Sequence, residues 1–302
     1  MITLGIDTSN YTTGAALFDG ESVTQLKRAL PVKPGELGLR QSDALFHHTV
    51  RLPELLEELL AGAGKIEAVG VSDRPRAVQG SYMPCFLAGV SAAGSIASAL
   101  RVPLRRCSHQ QGHLAAALFS CGQMDLFECK FLAFHISGGT TECLLVSPGL
   151  LAERIGGSAD LKAGQLADRV GALLGFGFPA GAALDVLALE GGLPRTVKPT
   201  VQGMECHLSG IENQCGHLFN AGASPADIAR WCLESIAAAM EVICARAAQS
   251  HGDLPIVFTG GVCCSEVLRR RIRPRFPGAL FAAPEFSSDN AAGAAILAGR
   301  EN

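Results

Sequence analysis

No stretch of about 18 apolar residues stands clear of charged or turn residues, and no basic leader followed by a long apolar run opens the chain. A membrane span and a secretion signal are therefore not expected, and a cytoplasmic location with no membrane partner is. Charge is scarce as well: 18% of the 302 residues are charged, and 25 basic residues leave a net charge of −3. That balance argues against a protein drawn to nucleic acid by its overall charge, although a local basic face would not show in the total. No low-complexity linker divides the chain. The eleven cysteines do not form a disulfide framework, being odd in number and set mostly inside apolar segments, as at Cys85, Cys143, Cys232 and Cys244; reduced thiols are expected. The adjacent Cys263 and Cys264 lack the spacing of a zinc knuckle.

What is abundant is apolar material, 48% of the residues, enough for one large or two medium domains. Ile2–Ile6 and Gly14–Phe18 read as strands around a polar turn, and Asp19-Gly20 is a hairpin signal leading into a third strand, Ser22–Arg28. Helical spacing follows at Asp43–Leu60 and Phe86–Leu100, with strands at Ala68–Ser72 and Pro103–Arg106 and a helix at His109–Phe119. Near the middle the opening pattern returns: strand Phe131–Ile136, a small polar turn Ser137–Thr141, strand Glu142–Ser147. Helical patterns at Ala163–Leu174, Gly181–Leu189 and Pro225–Gln249 precede strand Ile256–Thr259, the turn Gly260-Gly261, a helix to Ile272, a strand near Ala279–Ala283 and a closing helix, Asn290–Leu297. Two similar halves of this kind describe an α/β fold of the duplicated actin-like ATPase class, shared by actin, sugar kinases and Hsp70. Two lobes are expected, 1–125 and 126–302, with a final helix over 290–299 that can return to the first lobe. Such folds place a nucleotide in a central cleft.

Three turns offer backbone N–H groups and hydroxyls to an anion. In the first, Asp7–Gly14, Asp7 is available to bind a metal directly or through water and Ser9 offers a hydroxyl; an Asx-turn between strands is the plain alternative. The second, Ser137-Gly138-Gly139-Thr140-Thr141, makes the same offer from the other half. In the third, Thr259-Gly260-Gly261-Val262, the glycines let backbone approach a ligand, or simply begin a helix. His109 and His113 lie four apart at the start of a helical segment, so both imidazoles share one face. Asp289, before the last helix, is the best third ligand, or a plain N-cap. Two histidines and a carboxylate suit Fe(II) or Zn(II), but i,i+4 histidines also arise by chance or in capping, and Gln110-Gln111-Gly112 lacks the glutamate of HExxH. The run Leu268–Arg275 is the one dense basic segment; a solvated helix face and a tRNA contact through Arg269–Arg275 are its two readings.

Taken together, Gly5-Ile6-Asp7-Thr8-Ser9, His47 with Leu52-Pro53, His109-Gln110-Gln111-Gly112-His113, Ser137–Thr141, Ala163-Gly164 with Asp168-Arg169, Phe178-Pro179-Ala180-Gly181, Leu208-Ser209-Gly210, Gly260-Gly261-Val262 and Asp289-Asn290 resemble a known family in order and spacing. It is the family of tRNA threonylcarbamoyladenosine transferases, formerly described as O-sialoglycoprotein endopeptidases. The resemblance covers nearly the whole chain. It implies transfer of a threonylcarbamoyl group from its adenylate to N6 of an adenosine in tRNA. It also implies one divalent metal ion, an adenine nucleotide or acyl-adenylate, and another actin-like-fold protein as partner. By position it makes His109, His113 and Asp289 the metal ligands, puts Ser137 and Gly138 at the phosphate or carbamoyl end, and gives the ribose and base to Asp168 and Gly181. Asp7 and Ser137 become the candidate catalytic residues, and Ser9, Gly139, Thr140, Gly260, Gly261 and Ser265 further substrate contacts.

The chain departs from the family pattern, and the changes at Tyr11, Thr12 and Ser265 touch the ligand cleft. Tyr11 and Thr12 stand where an acidic pair is usual, Ser265 where asparagine is, and Glu212 where a lysine is. Asp160-Leu161 replaces a double aspartate, and Arg74-Pro75-Arg76-Ala77 a Gly-Pro-Gly loop. These changes keep a second reading open, a diverged nucleotide- and metal-binding subunit without transferase activity. A metal-dependent hydrolase ranks last, because no clear general base stands beside the metal ligands.

Overall fold

In β1, Ile2–Asp7, side chains alternate between two faces, as the period of a strand requires. Leu4 and Ile6 are fully buried in a core with Leu52, Leu55, Leu56 and Leu59 of α1 (Gln41–Leu60) and Ala93 and Ala97 of α2 (Phe86–Leu100). Thr3 and Gly5 turn the other way, onto the C-terminal helix α10 (Ala292–Gly299): the Thr3 hydroxyl donates to the Ala295 carbonyl at 2.7 Å. A Cβ on Gly5 would lie 2.3 Å from Ala295 N, and one on Gly70 would lie 2.0 Å from Ala294 O. The small residues of these strands thus set how closely α10 lies on the sheet.

The computed structural model describes residues 1–9, 11–31, 39–192, 196–288 and 291–300. These residues divide into two compact units, one made of residues 1–119 with α10 and the other of residues 120–288. The first unit's sheet runs β3-β2-β1-β4-β5, with β2 at Thr12–Phe18, β3 at Val23–Ala29, β4 at Ile66–Arg74 and β5 at Leu104–Ser108. β1, β2 and β3 are antiparallel neighbours, whereas β4 is parallel to β1 and β5 to β4. Helix α3, His109–Ser120, follows β5 and passes so close to α10 that a Cβ on Gly293 would meet the Gly112 carbonyl.

The second unit repeats this order. Its strands are β6 (Phe131–Ile136), β7 (Thr141–Ser147), β8 (Leu151–Ser158), β9 (Val201–Gln202), β10 (Glu205–Cys206), β11 (Ile256–Thr259) and β12 (Leu280–Phe281). They run β12-β11-β6-β7-β8-β10-β9. The stretch β8-β7-β6-β11-β12 matches β3-β2-β1-β4-β5 in order and in every parallel or antiparallel pairing. The duplication read from the two strand-turn-strand openings is therefore present in the topology. Helices α4 (Ala163–Leu173), α5 (Gly181–Glu190), α6 (Ser209–Asn220), α7 (Pro225–His251), α8 (Glu266–Ile272) and α9 (Pro284–Ser287) complete the unit. Its core gathers Phe134, Ile136, Leu166, Val170, Ile236, Met240 and Phe258. No helix among the described residues is long and apolar enough to cross a membrane.

Candidate functional site

In the first unit, β1 ends on Asp7, which is 1% exposed. Its two carboxylate oxygens have separate partners: Oδ2 accepts the Ser9 hydroxyl at 2.5 Å, and Oδ1 faces His109 Nδ1 at 3.2 Å. Burial alone would raise the Asp7 pKa. The charge of His109 and hydrogen bonds from His109, Ser9 and Ser72 outweigh it and hold the carboxyl below its ordinary range. An ionised carboxylate can only accept, so His109 Nδ1 carries the proton and its Nε2 points onward. That Nε2 lies 2.9 Å from His113 Nε2, with the two rings edge-on and their centroids 4.3 Å apart.

A capping box fixes the start of α3. Ser108 Oγ accepts from Gln111 N at 3.2 Å, and Gln111 Oε1 accepts from Ser108 N at 2.9 Å, the reciprocal Ser-x-x-Gln arrangement of a helix N-terminus. His109 is then the first residue of the helix, and His113 stands one turn later on the same face. The signal is present in the sequence as Ser108-His109-Gln110-Gln111. Behind the site, Thr8 donates to the Cys85 carbonyl at 3.0 Å and accepts from Gly89 N at 3.1 Å, tying the turn after β1 to α2.

The 2.9 Å between the two Nε2 atoms is the length of a hydrogen bond between the rings. Two nitrogens on one tetrahedral ion at about 2.0–2.1 Å would stand about 3.3 Å apart, so the pair would have to open slightly to share one. A carboxylate on the far nitrogen is the outer partner that ligating histidines ordinarily have. Asp289, the third expected ligand, lies outside the described residues. Among the described residues, no group of three or more His, Cys, Asp or Glu is gathered to hold an ion.

In the second unit, the turn Ser137–Thr141, the start of α4 and the turn at Gly260 meet at one end of the sheet. Thr140 N donates to Ser137 Oγ at 3.2 Å, Ala163 N to Thr141 Oγ1 at 2.8 Å, and Gly164 N to the Ser137 carbonyl at 3.2 Å. A Cβ on Gly164 would stand 2.6 Å from the Gly138 backbone. Gly260 has φ +98, and a Cβ there would lie 2.3 Å from the Ile136 carbonyl, so glycine is required on both counts. Gly138, Gly139, Gly181 and Gly261 have open space where a side chain would be, which leaves their backbone accessible to a ligand. Asp168, on α4, accepts from Ala180 N at 2.8 Å, just before Gly181, and burial raises its pKa.

Ser265 is 7% exposed and is the N-cap of α8: its hydroxyl accepts from Leu268 N at 3.2 Å and donates to Asp185 at 2.5 Å. Asp185 also accepts from Glu266 N at 2.9 Å. Asp185 was not singled out in the sequence, since one acid in a helical pattern carries no spacing signal. The basic segment is heavily paired. Arg269 donates to the Cys263 and Ala282 carbonyls, Arg270 to Glu266, Arg271 to Glu241 and Glu234, and Arg275 to Glu241. Arg269 and Arg273 also lie over the Phe281 ring.

Residues 33–296 match the profile of the family described as TsaD, tRNA N6-adenosine threonylcarbamoyltransferase. A tRNA N6-adenosine threonylcarbamoyltransferase of Methanopyrus kandleri is 29% identical over 97% of this chain and 85% of its own. Among solved structures, component A of the (R)-2-hydroxyglutaryl-CoA dehydratase of Acidaminococcus fermentans aligns with a TM-score of 0.57 at 16% identity, covering 99% of this chain and 97% of that one. A ROK family glucokinase of Streptomyces griseus, solved with glucose and AMPPNP, aligns at 0.56 and 15% identity over 99% of both chains. HypF of T. kodakarensis aligns at 0.60 and 15% identity, covering 98% of this chain and 47% of its own. These likenesses place the chain in the actin-like ATPase fold class.

Proposed function

The chain belongs to the tRNA N6-adenosine threonylcarbamoyltransferase family, and from that premise we propose that it moves a threonylcarbamoyl group from threonylcarbamoyl-adenylate to N6 of an adenosine in tRNA. The observation that carries this reading is the relay Asp7–His109–His113, in which a buried carboxylate orients one imidazole and both Nε2 atoms converge. His109, His113 and Asp289 would hold one divalent ion, iron or zinc. Such an ion supplies Lewis acidity, drawing electrons from the donor's carbonyl or its phosphate. With both oxygens taken by Ser9 and His109, Asp7 acts as a positioning residue.

In the second unit, the amides of Gly138 and Gly139 with Ser137 and Thr140 are the proposed contacts of the phosphate, whose departure as AMP needs its charge neutralised. Asp168 and Gly181 are the proposed contacts of ribose and base, with Gly260 and Gly261 letting backbone approach. Ser265 supports the nucleoside end indirectly, through the cap it shares with Asp185. No side-chain nucleophile is needed, because the adenosine amine attacks the carbamoyl carbon itself. The cytoplasm, where tRNA is modified, is the proposed location. As partner we propose another protein of the actin-like fold. It would be seated on a groove of about 390 Å³ lined by Leu45, Leu52 and Leu56 of α1 and Leu87, Ala88 and Ala92 of α2, beside exposed Phe46 and Val50. Nucleoside analysis by mass spectrometry, after incubation with donor, metal and unmodified tRNA, tests the function: threonylcarbamoyladenosine forms with the wild-type chain and not with His109→Ala. Its absence from both contradicts the reading.

Tyr11 and Thr12 favour the second reading, a diverged subunit that binds metal and adenylate without transfer. Thr12 opens β2 and pairs with Ala29, and Tyr11, in the turn just before it, accepts from Leu30 N at 2.7 Å. If their divergence limits transfer, the double change Tyr11→Asp with Thr12→Glu raises tRNA modification; an unchanged level counts against that reading.

A further inference from the structure

The segment between β4 and α2 carries none of the ligand contacts proposed above. It begins at Arg74, which pairs in register with Ser108, and runs to Phe86, whose ring lies 6.3 Å from the His109 ring. In between, the Pro75 carbonyl accepts from Gln110 N at 3.0 Å, within the first turn of α3. Both ends and one point along the way are thus attached beside His109. The segment is held in shape as well, since Arg76 N donates to the Ser81 hydroxyl at 2.9 Å.

Its chemistry is basic and aromatic. Arg74 and, on the neighbouring edge strand β5, Arg106 converge on the carboxylate of Asp73 at 3.2 and 3.9 Å. One carboxylate cannot neutralise two guanidiniums, and their side chains are 41% and 53% exposed while Asp73 is 11%. Tyr82, 62% exposed, offers a ring to solvent. Arg269–Arg275 belongs to α8 and the turn after it, in the second unit, whereas Arg74 is paired with Ser108, the residue before His109.

We propose that this segment is an RNA-binding surface, in which Arg74 and Arg106 contact phosphates and Tyr82 stacks on an unpaired base beside the His109 site. Cationic side chains with an exposed aromatic ring are the combination that holds unstacked nucleotides, and an enzyme acting on a base in RNA needs that base outside its stack. The inference rests on the tRNA reading of the previous subsection and names the surface that would present the RNA.

The test is the affinity of the full-length chain for an unmodified tRNA transcript, measured across a salt series, with thermal melting of each variant as the folding control. Arg74→Gln with Arg106→Gln should weaken binding about tenfold or more and flatten the salt slope by about 0.7–0.9 for each lost phosphate contact. Tyr82→Ala should weaken binding by roughly 5- to 100-fold, and Tyr82→Phe, which keeps the ring, should not. Tyr82 is surface-exposed, so its variants stay informative if the arginine variant melts early. Wild-type affinity and slope in all variants would overturn the proposal. So would variants that keep tRNA binding but lose a protein partner, since the surface would then be a protein interface. A wild-type chain that binds no tRNA would instead overturn the functional reading on which the proposal rests.

Discussion

Asp7 shows how one buried group can set the properties of a site it does not complete. Its oxygens accept from Ser9 and His109, and an amide in its place would present N–H groups to one of these donors. Asp7→Asn should therefore misorient His109 and lower zinc affinity by about 10- to 100-fold, the usual cost of losing an outer partner; calorimetric titration measures it, and unchanged affinity would remove Asp7 from the site. Asp160 offers a parallel case in the second unit. Partial burial opposes its ionisation. The Ser209 hydroxyl, the amides of Leu208, Leu161 and Ser209, and His207 Nδ1 at 3.7 Å surround it, and its pKa falls from 3.8 to about 2. Because the folded value is the lower one, Asp160 stabilises the protein fully above pH 4 or so and loses that contribution as pH falls towards 2. Melting curves of Asp160→Asn should differ from wild type at neutral pH, by about 1–3 kcal/mol, and converge near pH 2.

At the scale of elements, the decisive contacts are between backbones. Gly164 places α4 directly on the Ser137–Gly139 turn, so Gly164→Ala should cost about 1–3 kcal/mol by overpacking and weaken adenine nucleotide binding, read by melting and by nucleotide titration on the same samples. Ser108→Ala removes one half of the capping box and should cost about 1 kcal/mol. Most elements were legible in the sequence because their apolar period was strong. α2 spans Phe86–Leu100 as its pattern predicts, and the three glycine and hydroxyl turns fall where strands end. β8 was not legible: its pairing with β7 shifts register after Cys143, and its first five residues leave no alternating face fully buried. α6 was missed because Ile211 and Cys215 are its buried positions, too few to set a period. Of the candidate site, the histidine pair and Ser137 could be found from spacing. The roles of Asp7 towards His109 and of Asp185 towards Ser265 depend on contacts between residues 102 and 80 positions apart, which no local pattern records.

In the whole molecule, two copies of one five-stranded plan carry different chemistry, imidazoles and a carboxylate in the first and glycine-rich turns in the second. Packing also decides thiol reactivity. Burial pushes Cys107 and Cys244 up to about 12 and Cys206 to about 11, whereas Cys129 is exposed and Cys121 and Cys264 are half-buried. A thiol reagent at neutral pH should label Cys129 first, and the buried cysteines only after unfolding; rapid labelling of Cys107 in the folded protein would contradict the packing described. The most direct test of the central claim is AMP release from threonylcarbamoyl-adenylate by the purified chain with Fe(II) or Zn(II), with and without unmodified tRNA and a candidate partner of the same fold. The account predicts release that is coupled to loading of the tRNA and lost in His109→Ala. Adenine nucleotide binding without release, equal in wild type and variant, would contradict it.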